Sequence, residues 1–125
     1  MRFLTSFTII KCQREQITRY FSAMVNPLVA VCQMTSTSDK EKNLQTVREL
    51  SEKAKCKSAC IAFFPEACDY LADNKKDIVA MAQPLDGSIV SSYKEIAKTN
   101  KIWLSLGGLH EAVLHIGKYY YVLEL

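Results

Sequence analysis

One glutamate stands where a sheet protein could use it as a base. Glu66 follows Pro65 directly, at the end of the apolar run Cys60–Phe64. A carboxylate there lies at the C-terminal edge of a parallel sheet, where open α/β sheets bind ligands. The proline fixes the backbone before the acid, and a partly buried carboxylate has a raised pKa suited to general base catalysis. A helix cap or a solvated loop residue remains the alternative.

A second group of polar residues is expected at the same sheet edge. His110 and Glu111 come directly after Gly107 and Gly108, which end a third apolar run. The two glycines are followed by neither a helix nor a P-loop lysine, so they indicate a turn rather than a phosphate site. His110 and Glu111 are therefore candidates for substrate binding, with a structural role as strand-ending residues left open. Asp69 and Tyr70 are further candidates for the pocket wall.

The cysteines predict free thiols rather than a metal centre or a disulfide framework. An odd number of cysteines and no secretory signal indicate a reducing compartment. Cys56 and Cys60 are spaced C-x3-C, but no second cysteine or histidine pair stands at a zinc-site distance, so no metal or cofactor is predicted. Cys32 and Cys60 lie in strand-like runs, where cysteine usually packs as a small buried side chain. The five are Cys12, Cys32, Cys56, Cys60 and Cys68.

The elements that must position these residues alternate between strands and helices. The alternation predicts an α/β fold with a parallel sheet. Ser38 and Ser88 are the expected N-caps of the two helices, and residues 67–77 are expected to form a loop with a short helical turn. The predicted strands are Leu28–Met34, Cys60–Phe64 and Ile102–Leu106, and the predicted helices are Asp39–Lys55 and Ser88–Lys98.

The net charge of +3 belongs to the first residues of the chain. Residues 1–25 carry four basic side chains and one acid, whereas residues 26–125 carry 12 of each sign. A neutral body offers no electrostatic footprint for nucleic acid, and no apolar run is long enough to cross a membrane. A basic, hydroxylated and acid-poor segment is typical of a mitochondrial transit peptide, so residues 1–26 are predicted to be a leader. Met24 could start a cytoplasmic form, which makes the expected location mitochondrial, cytoplasmic or both.

Five stretches together resemble the nitrilase (carbon–nitrogen hydrolase) superfamily, and most closely its Nit branch. They occur in the family's order and at natural distances, which is more specific than any one motif. The resemblance covers about residues 27–111, which are therefore expected to form a partial carbon–nitrogen hydrolase domain. The stretches are Pro27–Met34, Asp39–Asn43, Phe63–Ala67, Pro84–Gly87 and Trp103–Glu111.

This resemblance implies a fold, a reaction and a set of catalytic groups. The implied fold is the α-β-β-α sandwich, and the implied reaction is hydrolysis of C–N bonds in small linear amides without a cofactor. The family uses a glutamate as general base, a lysine that stabilises the tetrahedral intermediate and a cysteine nucleophile. Glu66 matches the glutamate. The resemblance also implies a homo-oligomer.

The resemblance weakens after Glu111, and residues 112–125 are expected to be a divergent tail. The family's lysine and cysteine motifs lie beyond this point, and Cys68 does not match the nucleophile. The expectation is therefore an incomplete sandwich, the N-terminal portion of the domain, with an uncovered sheet face. Three functions remain open: an amidase, a non-catalytic truncated isoform, and a small α/β binding module.

Overall fold

The computed structural model describes residues 27–112 and the backbone of two further strands of two residues each, residues 119–120 and 123–124. The predicted leader, most of the predicted tail and His115 lie outside the described residues. Within them, no helix is long and apolar enough to cross a membrane.

Three short parallel strands form the centre of the protein, as the alternating pattern predicts. The strands β1 (Val29–Val31), β2 (Ile61–Phe63) and β3 (Trp103–Ser105) lie side by side in that order. Their pairing aligns Ala30 with Ala62 and Ala62 with Leu104. A later strand, β6 (Leu123–Glu124), joins the outer side of β3 in antiparallel orientation.

A second, two-stranded sheet continues the chain beyond β3. β4 (Leu109–His110) pairs with β5 (Tyr119–Tyr120) in antiparallel orientation. Next to it, Gln83 and Glu111 form an isolated parallel bridge, in which the N–H of Ala112 donates to the Gln83 carbonyl at 3.0 Å. β4 thereby carries His110 to the edge of the main sheet.

Within residues 27–112, three helices accompany the strands, and two of them match the predicted segments. α1 (Lys40–Cys56) and α3 (Ser88–Asn100) pack together over one face of the sheet. The helical turn expected within residues 67–77 begins later, as α2 (Lys75–Met81). Apolar residues on the inner faces of α1 and α3, such as Val47 and Ile96, are almost fully buried. Each such side chain contributes about 1.5–3 kcal/mol relative to an exposed one.

Both predicted N-caps are wrong by one residue. The N-cap of α1 is Asp39, whose carboxylate accepts the Lys42 N–H at 3.0 Å, so Ser38 lies outside the helix. Asp is as good a cap as Ser, and its charge also suits the helix N-terminus. The N-cap of α3 is Gly87, which has no side chain to offer. The amide oxygen of Gln83 replaces it by accepting the Ile89 N–H at 3.2 Å.

The two faces of the main sheet differ in how much solvent they meet. Ala62 and Leu104 are buried against the helices. Side chains alternate between faces along a strand, so their neighbours point away from the helices. On that side Val31 is 85% exposed, Val29 49% and Phe63 40%. Part of the predicted uncovered face is thus seen among the described residues.

Candidate active site

Glu66 lies in the turn that follows β2, at the carboxyl edge of the parallel sheet. Main-chain bonds from Cys32 N–H to Phe63 O and from Phe64 N–H to Ser105 O extend the ladder to the start of this turn. The Glu66 side chain is exposed, which corrects the expectation of a partly buried carboxylate. The sequence therefore predicts the location of Glu66 correctly and its burial wrongly.

Gly107 allows the loop after β3 to pack directly on the Glu66 turn. Its φ is +69°, and a Cβ there would lie 2.6 Å from the carbonyl carbon of Pro65 and 2.7 Å from the Glu66 nitrogen. No real side chain tolerates contacts that short with backbone, so only glycine fits. The N–H of Ala67 donates to Gly108 O at 3.1 Å and fastens the same contact. The glycine pair is a turn, as predicted, and it also supports Glu66.

Cys68 is a packing residue rather than a nucleophile. Its side chain is fully buried, and the thiol donates to the carbonyl of Leu106 at 3.2 Å. Burial, aided by the negative charge of Asp69, raises the pKa of Cys68 to about 12. A thiol with that pKa is not a thiolate at neutral pH, and the thiolate is the reactive form. Burial likewise raises the pKa of Cys32.

Asp69 and His110 form a buried pair beside the turn. Asp69 Oδ2 accepts the main-chain N–H of His110 at 2.8 Å, and Oδ1 lies 3.0 Å from His110 Nδ1. Asp69 is 2% exposed, so the carboxylate is almost entirely enclosed. A buried carboxylate needs hydrogen-bond donors, and His110 supplies its main-chain N–H to one oxygen and faces the other with Nδ1. It joins the Glu66 turn to β4.

The turn is also fastened to the N-terminal end of α1. The Asn43 amide donates to Asp69 O at 3.1 Å and to Thr37 O at 2.8 Å, while its oxygen accepts the Thr37 N–H at 3.0 Å. Leu71 N–H donates to the same Thr37 carbonyl at 2.9 Å. Asn43 is 1% exposed, and its hydrogen bonds offset the cost of burying an amide.

Tyr70 connects the turn to α2. Its ring stands 4.3 Å from the His110 ring, centroid to centroid, with a tilt of 31°. Its hydroxyl donates to Ile78 O at 2.6 Å. The Lys40 ammonium lies 4.8 Å from the centre of the Tyr70 ring and also donates to Met81 O. The ring is thus held between a cation and an imidazole.

Glu111 lies next to His110, with one carboxylate oxygen shielded from solvent. That atom, Oε2, has no hydrogen-bond partner among the residues that the structure describes. A buried carboxylate oxygen without a donor is costly, so the position suits a donor from a bound molecule. No group of three or more His, Cys, Asp or Glu side chains within the described residues could hold a metal ion.

Sequence reasoning named most residues of this site but missed two of its supports. Asn43 and Lys40 fall within a predicted helix that is part of the family resemblance, and the sequence assigns neither of them a role in the site. Asn43 occupies the apolar stripe that also carries Leu44 and Val47, and a polar residue on a buried stripe is the signal that could have identified it.

The fold and the turn together define a class of protein. A parallel sheet with helices on one face carries a glutamate at its carboxyl edge, supported by the loop after the third strand. Residues 28–123 match the carbon–nitrogen hydrolase family, and the chain belongs to that family. The resemblance to the nitrilase superfamily and the predicted α/β fold are therefore confirmed. The match extends through residues 112–123, where the backbone forms β5 and β6.

Particular relatives narrow the similarity to the Nit branch. The chain is 48% identical over 85 residues to deaminated glutathione amidase of Rattus norvegicus, covering 68% of this chain and 26% of the relative. It is 48% identical over 83 residues to the nitrilase and fragile histidine triad fusion protein NitFhit of Drosophila melanogaster, covering 66% and 18%. The crystal structure of the C. elegans NitFhit protein superposes with a TM-score of 0.64 at 37% identity, covering 76% and 24%. The chain spans about a quarter or less of these relatives.

Proposed function

We propose that this chain supplies the general base of a carbon–nitrogen hydrolase that acts on small linear amides of the deaminated glutathione type. Glu66 is that base. The observation that carries the proposal is the Glu66 turn, held by Gly107 at the carboxyl edge of the sheet within the family-matched residues. The carboxylate is exposed, so a substrate can reach it.

The chemistry follows from what each group can do. A carboxylate base takes the proton of a cysteine thiol, and the thiolate attacks the amide carbon. A cationic lysine stabilises the oxyanion, a role worth about 3–4 kcal/mol for one donor. The leaving nitrogen takes the proton and departs as ammonia, and water then hydrolyses the acyl thioester. The family resemblance implies the lysine and the cysteine, and Glu66 is the group that this sequence provides.

His110 and Glu111 are proposed to contact the substrate. Both stand at the edge reached by β4, and the Asp69 pair holds His110 there. The shielded Oε2 of Glu111 is an acceptor that an amide N–H of the substrate would satisfy. These contacts would orient the amide for attack, which is worth more than binding alone.

A non-catalytic role is the second candidate, and the state of the thiols favours it. Cys68 is the cysteine nearest to Glu66 in sequence, and its pKa of about 12 keeps it protonated. Among the described residues Cys32 and Cys60 are also buried, and the exposed Cys56 lies at the C-terminal end of α1. A base without a positioned nucleophile cannot form the thioester, so this polypeptide alone is proposed to be inactive. No observation favours the small binding module.

A chimera tests the role of Glu66. The 85 residues that align with the rat deaminated glutathione amidase replace the matching segment of that enzyme, and ammonia release from deaminated glutathione is measured. The chimera is expected to turn over, and Glu66→Gln is expected to lower kcat by at least about 10³-fold. Glu52→Gln, an exposed change on α1, is the matched control and should leave kcat unchanged. An active Glu66→Gln chimera would contradict the proposal.

The leader is proposed to be a mitochondrial address, with a cytoplasmic form starting at Met24. Support comes from the four basic residues and single acid of residues 1–25. These residues fused to a fluorescent protein should direct it to mitochondria. Diffuse fluorescence, equal to that of a fusion with Arg2, Arg14 and Arg19 changed to Gln, would contradict the address.

A further inference from the structure

A buried polar contact in the described residues joins two segments 41 residues apart in sequence. Asp69 uses both carboxylate oxygens on one residue, accepting the His110 main-chain N–H at 2.8 Å and facing Nδ1 at 3.0 Å. The Asp69 side chain is 2% exposed and the His110 side chain 10%. The contact is therefore shielded from water and is stronger than a similar surface pair.

This arrangement fixes where the imidazole proton lies. A carboxylate accepts hydrogen bonds and donates none, so His110 Nδ1 must carry the proton that points at Asp69. In the neutral ring the lone pair is then on Nε2. The Tyr70 ring, 4.3 Å from the imidazole, restricts rotation of the ring plane. The histidine is thus held both in tautomer and in orientation.

We propose that Asp69 is a positioning residue that holds His110 as the Nδ1–H tautomer, with Nε2 as a hydrogen-bond acceptor at the sheet edge. A second residue that orients a functional histidine is a common feature of enzyme sites, because the partner of one nitrogen decides the role of the other. The inference extends the proposed function and rests on it in one respect. The fixed tautomer matters for function because His110 is proposed to contact the substrate.

Asparagine at position 69 should reverse the tautomer. Asparagine has one oxygen where aspartate has two, so an amino group must replace either Oδ2, which accepts the His110 main-chain N–H at 2.8 Å, or Oδ1, which lies 3.0 Å from Nδ1. If its oxygen keeps the main-chain N–H, its amino group faces Nδ1 and donates to it. Nδ1 must then carry the lone pair, and Nε2 carries the proton.

Nitrogen NMR of the full 125-residue chain, labelled with ¹⁵N-histidine, measures this directly. The sequence contains two histidines, and His110→Gln assigns their signals. At the alkaline end of a pH titration, His110 in the parent chain should show a protonated Nδ1 and an unprotonated Nε2. Histidine free in water favours the opposite form, so the expected result is not the default one.

Two variants complete the experiment. In Asp69→Asn the two ring nitrogens of His110 should exchange their chemical shifts, whereas Asp73→Asn, an exposed change in the same loop, should leave them unmoved. A parent spectrum with protonated Nε2, or an Asp69→Asn spectrum like that of the parent, would overturn the proposal. If Asp69→Asn does not fold, the parent spectrum alone decides. No substrate is present, so failure of the amidase proposal would leave this result intact.

Discussion

At the residue scale, burial decides what the cysteines can do. The pKa of Cys68 is about 12, so roughly one molecule in 10⁴ carries the thiolate at pH 8. Cys56 is exposed, so a reagent in solution can reach its thiol. We expect a thiol reagent at pH 8 to modify Cys56 rapidly and Cys68 only when the protein unfolds, as measured by mass spectrometry of the peptides. Equal rates for the two thiols in the folded chain would contradict the account.

The same raised pKa has a consequence for stability at alkaline pH. The folded state keeps the Cys68 proton up to about pH 12, whereas the unfolded thiol loses it near pH 9.0. The stabilisation is therefore fully present below pH 9 and is lost as the pH rises toward 12. Cys68→Ala should show a smaller loss of unfolding free energy between pH 8 and pH 10 than the parent chain.

Gly107 is the residue whose replacement should disturb the Glu66 turn most directly. Gly107→Ala places a methyl group within 2.7 Å of backbone atoms at an unfavourable φ of +69°, so we expect a loss of about 2–4 kcal/mol in urea unfolding. Lys101→Gly is the matched control, because Lys101 has a φ of +51° as the C-cap of α3. Relief of its strain should raise stability by about 1 kcal/mol. A neutral Gly107→Ala would contradict the contact.

At the element scale, the start of α1 depends on one carboxylate. Asp39 accepts the Lys42 N–H, so Asp39→Ala should lower the unfolding free energy by about 1 kcal/mol. Ser38→Ala lies one residue earlier, outside the helix, and should cost less than about 0.5 kcal/mol. Urea denaturation of both variants measures the difference. A larger effect at Ser38 would restore it as the cap.

The elements were predictable because each carries its own periodic signal. The central parts of β1, β2 and β3 and most of α1 and α3 fall inside the predicted segments, since apolar spacing reports which face is buried. The caps were missed because Ser38 and Asp39 are equally good by residue type, and only geometry separates them. Gln83 caps α3 from six residues before Ile89, and no standard capping pattern places the cap at that distance.

The sequence predicts where the candidate site residues lie, but it does not predict which of their side chains are hydrogen-bonded to each other. Strand order places Glu66 and His110 at one sheet edge, so both were identified from the chain alone. The bond between Asp69 and His110 spans 41 residues and depends on side-chain directions that no local pattern encodes. The exposure of Glu66 likewise depends on how the loop after β3 packs, which the sequence does not determine locally.

At the scale of the whole molecule, the exposed sheet face should govern solubility. Val31 is 85% exposed beside Val29 and Phe63, and an apolar patch on a sheet favours association. Val31→Lys should raise the monomer fraction in sedimentation velocity. Val79→Lys, with the same charge change at a 76% exposed position on α2, is the control and should have a much smaller effect. Equal effects would show that charge, rather than this face, controls association.

The central proposal is that Glu66 is a general base and that none of the cysteines among the described residues is a working nucleophile. Ammonia release from deaminated glutathione by the purified chain, beside its Glu66→Gln and Cys68→Ala variants, tests it most directly, with the active chimera as positive control. We predict no release above background for any of the three chains, because catalytic groups that act as a unit lose nearly all activity when one is absent. Turnover by the parent chain that disappears in both variants would contradict the account, since Cys68 would then be the nucleophile.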